Sequence, residues 1–257
     1  MSEDSEKNGA RSAIILLVVV FLVAGYSVKF GLQTLTWIEA KLWTSENPWL
    51  ATAPQPLPAP TAPAKGPVLK AYDYEFDSPW PGNPKPVGSL NATQFRYDTG
   101  QVIVFFDPES QVDTMRAIKT SNPVEYQKFA TVFSDKPINS NYELYQAVYG
   151  ASPTQLSPLM GTRDALRLNA LLLWKLSFGF DLMADGQFYS FDWGKVRGFQ
   201  FGDPAKQRPV ALRVFSDRDR QYRFILTVAA GTSGKIAQDD IDTIVQSVQP
   251  VPIAERP

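Results

Sequence analysis

The chain contains no cysteine and no histidine. Without cysteine there is no disulfide, no thiolate nucleophile, no cysteine-bound metal and no lipoprotein-type attachment. Without histidine the usual general base at neutral pH and the commonest transition-metal ligand are both missing. Ser-His-Asp, Cys-His and zinc-hydrolase mechanisms are therefore excluded within this chain. Any catalysis would fall to Asp, Glu, Tyr, Lys or Arg. An excess of charge is lacking too, with 25 Lys plus Arg against 26 Asp plus Glu. That balance gives no basic surface for nucleic acid, so no nucleic-acid partner is expected. No cofactor, metal site or catalytic residue is expected, and the chain reads as a non-enzyme.

What is present begins with SAIILLVVVFLVAGYSVKF at residues 12–30. From Ala13 to Val28 no side chain is charged. As a helix those residues span about 24 Å, short of a hydrocarbon core of about 30 Å. No proline follows until Pro48. A helix running to Ile38 reaches about 39 Å, with Lys29 able to snorkel and Trp37 and Trp43 suited to an interface. A core helix fits poorly, because the run is apolar all round. A cleaved signal needs a basic start and an A-x-A-like site, whereas MSEDSEKNGAR is mixed in charge and Gly25-Tyr26-Ser27 is a poor substitute. A retained anchor is the expectation, with membrane lipid contacted through residues 12–38. Lys7 and Arg11 favour a cytoplasmic N-terminus, opposed by Lys29 and Lys41. The C-terminal domain is then periplasmic or extracellular.

The expected organisation is a short cytoplasmic tail (1–11), a transmembrane helix with an amphipathic extension (12–43), a Pro-rich linker (44–67), a soluble α+β domain (68–250) and a tail (251–257). In the linker, prolines at 54, 56, 58, 60, 63 and 67 interleave with alanine, which favours an extended polyproline-II spacer. It reads as a stalk, or as a ligand for a proline-binding module. Residues 72–90 look like an irregular lead-in. TQFRY and QVIVFF flank Asp98-Thr99-Gly100, a hairpin signal.

Helix-start signals follow at Asn122-Pro123-Val124-Glu125, Ser140-Asn141-Tyr142-Glu143 and Ser152-Pro153-Thr154-Gln155. Thr162 opens TRDALRLNALLLWKLSF, apolar over most of its circumference and expected to be buried. Runs at 188–193, 196–201, 210–215 and 222–228 read as strands. Ile241, Ile244, Val245 and Val248 mark a closing amphipathic helix. The fold class is α+β, an antiparallel sheet packed against helices.

The succession of hairpin, helices, antiparallel strands and RFILTVAAGTSGKIAQDDIDTIVQSV resembles the PsbP/Mog1-like α+β sandwich domains over residues 90–250. The long helical block before the sheet departs from that order. The resemblance implies an accessory, assembly or adaptor role through binding, and it carries over no site residue.

Weaker signals have structural explanations. AAGTSGK at 229–235 lacks the first glycine and the final Ser/Thr of a phosphate loop. Asp239, Asp240 and Asp242 suit the first turn of a helix better than a metal loop. Carboxylates for glycosidic cleavage could come from Glu125, Glu143, Asp164, Asp181, Asp185 or Asp192, which the sequence cannot pair. The candidate partner or ligand surface is aromatic: Trp80, with Tyr189, Phe191 and Trp193 on one face of a strand. These rings are either core or platform. The leading expectation is a membrane-anchored accessory or scaffold protein that binds another envelope protein. A tethered carboxylate hydrolase acting on cell-wall glycan and a glycan or small-ligand module are the alternatives.

Overall fold

The computed structural model describes residues 31, 46–61, 66–108, 114–121, 123–157, 160–178, 187–216, 218 and 220–251. Apart from Gly31, the expected anchor at 12–43 lies outside them. Among the described residues no helix is long and apolar enough to cross a membrane.

The strands are β1 (Gln55–Pro56), β2 (Val68–Ala71), β3 (Tyr74–Asp77), β4 (Pro86–Gly88), β5 (Ala92–Arg96), β6 (Gln101–Phe106), β7 (Phe188–Asp192), β8 (Val196–Phe201), β9 (Val210–Ser216), β10 (Gln221–Val228) and β11 (Gln249–Pro250). The helices are α1 (Thr114–Ser121), α2 (Pro123–Val132), α3 (Asn141–Gly150), α4 (Thr162–Phe178) and α5 (Gln238–Ser247). The fold is α+β. Its main sheet has the order β1-β7-β8-β9-β10-β6-β5-β4, and a small sheet has the order β11-β3-β2.

Two findings differ from the expectations. The main sheet is mixed, because β1 runs parallel to β7, pairing Gln55 with Tyr189 and Pro56 with Ser190. The polyproline-II and β regions adjoin, so an extended Pro-rich segment can lie on a sheet edge, where a missing N–H is tolerated. The lead-in at 72–90 is not wholly irregular, since it holds β3 and β4. Their short length and the prolines around β4 hide the alternation that would reveal them.

Alternation along the strands sorts the core onto two faces. On one, Ile103, Phe105, Leu212, Val214, Phe224 and Leu226 meet the small sheet and α5. Phe76 stands edge-on to Phe224 at 5.3 Å, and Phe105 stacks on Phe224 at 4.7 Å. The α5 stripe of Ile241, Ile244 and Val245 is fully buried there. Burying each such side chain stabilises by about 1.5–3 kcal/mol.

On the opposite face, Phe188, Phe199, Phe201 and Phe215 meet Tyr142, Tyr145, Val148 and Tyr149 of α3. Ser140 Oγ accepts from the Glu143 amide at 3.2 Å, and Glu143 Oε2 accepts from the Asn139 amide at 2.8 Å. These bonds satisfy orphan donors and start α3 where the sequence signal lies. Arg197 lies over Tyr142 at 4.1 Å and Arg213 over Tyr145 at 4.3 Å, fastening α3 to the sheet. Arg167 of α4 donates to Val132 O at 2.9 Å and to Asp164 at 2.8 Å, and also binds Asp135, which joins α4 to the end of α2.

Candidate functional site

The Pro-rich segment does not begin as a free stalk. Pro48–Ala51 forms a 3-10 turn, and Leu50 is fully buried. Lys175, in the last turn of α4, reaches this 3-10 turn. Its Nζ donates to the carbonyl oxygens of Leu50 (3.1 Å), Thr52 (2.7 Å), Tyr149 (3.0 Å) and Ala151 (2.7 Å). Tyr149 and Ala151 lie at the C-terminal end of α3, where unpaired carbonyls collect and the helix dipole favours a cation. Burial pushes the Lys175 ammonium down from 10.5 to about 8, so at neutral pH it stays mostly charged. One buried cation therefore binds the incoming chain to α3 and α4. Farther along, the Leu57 amide donates to Ser190 O at 2.8 Å. The chain then leaves β1 and returns as β2, so residues 58–67 connect two docked strands. Residues 62–65 lie outside the described part.

The other edge of the main sheet is open. All three residues of β4 are exposed, Val87 by 55% and nearby Leu90 by 97%. Beside β4 is a concavity of about 600 Å³. Its rim comes from Pro81 to Lys85, and its floor includes Tyr97. Pro84 and Pro86 have no N–H, so the edge cannot offer a full ladder to an added strand. Gly82 has φ +112°, a left-handed conformation that glycine tolerates and other residues rarely adopt. Lys85, Arg96 and Asp98 supply mixed charge at the rim.

Tyr97 is held from below. Ser78 Oγ donates to Trp80 O at 2.8 Å, which leaves the Tyr97 hydroxyl to donate to Ser78 Oγ. Burial raises the Tyr97 hydroxyl above its usual value of 10.0. Trp80 meets the Tyr97 ring edge-on at 5.2 Å. The site thus sets two exposed apolar side chains, Val87 and Leu90, at an open sheet edge beside a proline-walled concavity that Tyr97 also lines. It suits side-chain contact with another surface.

The aromatic residues singled out from the sequence are not brought together. Trp80 and Phe191 are core residues, 7% and 2% exposed, so neither offers a contact surface. Trp80 acts beneath the β4 concavity. Tyr189, Phe191 and Trp193 do share a face, but near the β1 edge. Phe191 packs into the core over Gly198, where a Cβ would come within 2.8 Å of the ring. Trp193 stacks on Phe191 at 4.5 Å and is partly buried. Tyr189 is also partly buried, and its hydroxyl donates to Gln187 Oε1 at 3.3 Å. The parity places Phe191 and Trp193 on the face that meets the small sheet and α5, while Phe188 is buried on the other.

The described candidate carboxylates have local duties. Glu143 caps α3, Asp164 binds Arg167, and Asp192 accepts from the Gly194 amide at 3.2 Å. Asp240 Oδ2 accepts from the Ala237 amide at 2.7 Å at the start of α5. The side chains of Glu125, Asp181 and Asp185 lie outside the described part. Among the described residues no group of three acidic side chains is arranged to hold a metal ion. AAGTSGK is the turn from β10 toward α5, with Thr232 Oγ1 donating to Ala229 O at 2.7 Å.

Sequence reasoning missed Lys175, Leu50, Val87 and Leu90. Lys175 left a trace, a lone cation inside the apolar run LLLWKLSF; α4 is nevertheless not buried all round as expected, since Arg163, Asp164, Leu166 and Leu173 face outward. Val87 and Leu90 left none, because exposure of single apolar residues in a Pro-rich loop is set by tertiary structure. Comparisons of the chain with protein-family models, with curated proteins and with solved structures find no match.

Proposed function

We propose that this chain is a single-pass membrane-anchored accessory, assembly or scaffold protein. Its N-terminus is cytoplasmic, and its α+β domain, periplasmic or extracellular, binds another protein of an envelope complex. The observation that carries this reading is the asymmetry of the main sheet. One edge is covered by β1, continuous with the chain arriving from the apolar segment. The other, β4, is open and carries exposed Val87, with exposed Leu90 just beyond it, beside the concavity. An open edge guarded by proline yet bearing exposed apolar side chains fits a docking ledge.

The test is a pull-down of the tagged full chain from detergent-solubilised membranes, compared with a Val87→Asp, Leu90→Asp double variant. A co-purifying protein is expected with the wild type, reduced about tenfold in the variant at unchanged melting temperature. A wild-type chain that emerges alone, or a variant that retains the partner, overturns the proposal. Release of the full chain by alkaline extraction overturns the anchor.

A further inference from the structure

We infer that the domain rests against the lipid surface, through the face made by the Pro48–Ala51 turn and the Pro153–Gln155 turn; this rests on the anchor reading above. Three observations carry it. The first is the length of the tether. If the apolar helix ends at Ile38, residues 39–46 alone separate it from Asn47, and fully extended they span at most about 28 Å. The turn that follows cannot swing away, because Lys175 holds the carbonyls of Leu50 and Thr52. The Pro-rich stretch adds no height, since both of its ends are docked as β1 and β2.

The second is charge. One residue in five of this chain is charged, yet none is from Asn47 to Ala64, nor from Leu144 to Thr162. The fold brings these two stretches together: the Pro48–Ala51 and Pro153–Gln155 turns pack on each other and on α4. Their outward residues are small or uncharged, among them Pro48, Ala51, Ala53, Thr154, Gln155 and Ser157. Such a face can meet head groups without desolvating an ion and without repulsion from anionic lipid. The tether itself carries Glu39, Lys41 and Glu46, of which Glu46, adjoining the turn, is exposed.

The third is the aromatic marker. Trp49, in the same turn, packs its ring partly against the α3-side core and leaves the remainder at the surface, and it is the amphipathic type of residue found at membrane interfaces. A protein partner on this face would need anchoring rings or ions, and the outward residues supply few. A lipid surface needs neither.

The absence of native cysteine makes the test direct. Thr154→Cys and Leu90→Cys variants of the full chain are labelled with a donor dye. Each is reconstituted into phosphatidylcholine vesicles carrying a trace of head-group-labelled acceptor lipid. Seven strand spacings separate the two sheet edges, about 34 Å. Transfer from position 154 is expected to exceed that from position 90 by about twofold or more. Equal transfer, or greater transfer from position 90, in protein that floats with the vesicles overturns the apposition alone. Protein that fails to float overturns the anchor reading and the apposition with it.

Discussion

At Lys175 a full positive charge is buried with four carbonyl partners, none of them a carboxylate. Carbonyl dipoles replace part of the lost hydration, and the C-terminal end of α3 adds its own negative potential. Lys175→Met keeps the length and apolar stem of the side chain but leaves four acceptors without this donor. A loss of about 2–4 kcal/mol is expected in chemical denaturation. An unchanged midpoint would mean that water or neighbouring amides replace the ammonium. Asp242 presents the opposite case. Burial raises its carboxyl above the usual 3.8, with Gln238 Nε2 donating to Oδ1 at 2.8 Å and opposing the rise. A raised folded value means that the native state binds the proton more tightly than the unfolded chain. The stability this contributes is complete below about pH 3.8 and is lost as pH rises through the folded value. Asp242→Asn keeps an acceptor for Gln238 and removes the charge. Its melting temperature should exceed the wild type's at pH 7, with the gap closing toward pH 3.5. A gap independent of pH would refute that account.

Among the elements, the docked segment before β2 separates the present structure most sharply from a free stalk. Leu50→Ala removes a fully buried side chain from the turn that packs on α4 and on the Pro153–Gln155 turn, and a cost of about 2–4 kcal/mol is expected. A free spacer predicts no measurable change, so urea midpoints of the full chain decide. That element was illegible because proline patterning reports backbone conformation, and an extended backbone serves equally as a spacer or as an edge strand. The parallel partner, β7, is more than 130 residues away, and nothing local encodes the pairing. Elements with strong local signals were legible. Ser140 and Glu143 start α3, the Asp98-Thr99-Gly100 turn joins β5 to β6, and the stripe of α5 faces the core as its period requires. The aromatic parity of β7 was legible as a face but not as buried, since alternation gives direction and only the opposing small sheet and α5 supply burial. The β4 ledge belongs to the same class: its prolines were visible, but its position at the far edge follows from strand order.

For the whole molecule, the two sheet edges define an axis. The chain arrives beside β1, and the ledge at β4 stands about 34 Å across the sheet. With the domain apposed to lipid as proposed, this width fixes the height of the ledge above the lipid, and a partner within the proposed envelope complex meets it at that height. A flexible insert of about 20 Gly and Ser residues between Ser45 and Glu46 adds about 25 Å of root-mean-square reach. The insert precedes every docked residue, so the melting temperature should not move. Lipid transfer from a label at Thr154→Cys should fall, and recovery of the partner in the pull-down should fall with it, because the ledge no longer has a defined position. Unchanged recovery despite lost lipid transfer would mean that the partner is captured wherever the ledge happens to be. The short tether would then set the domain's place on the membrane and have no part in recognition.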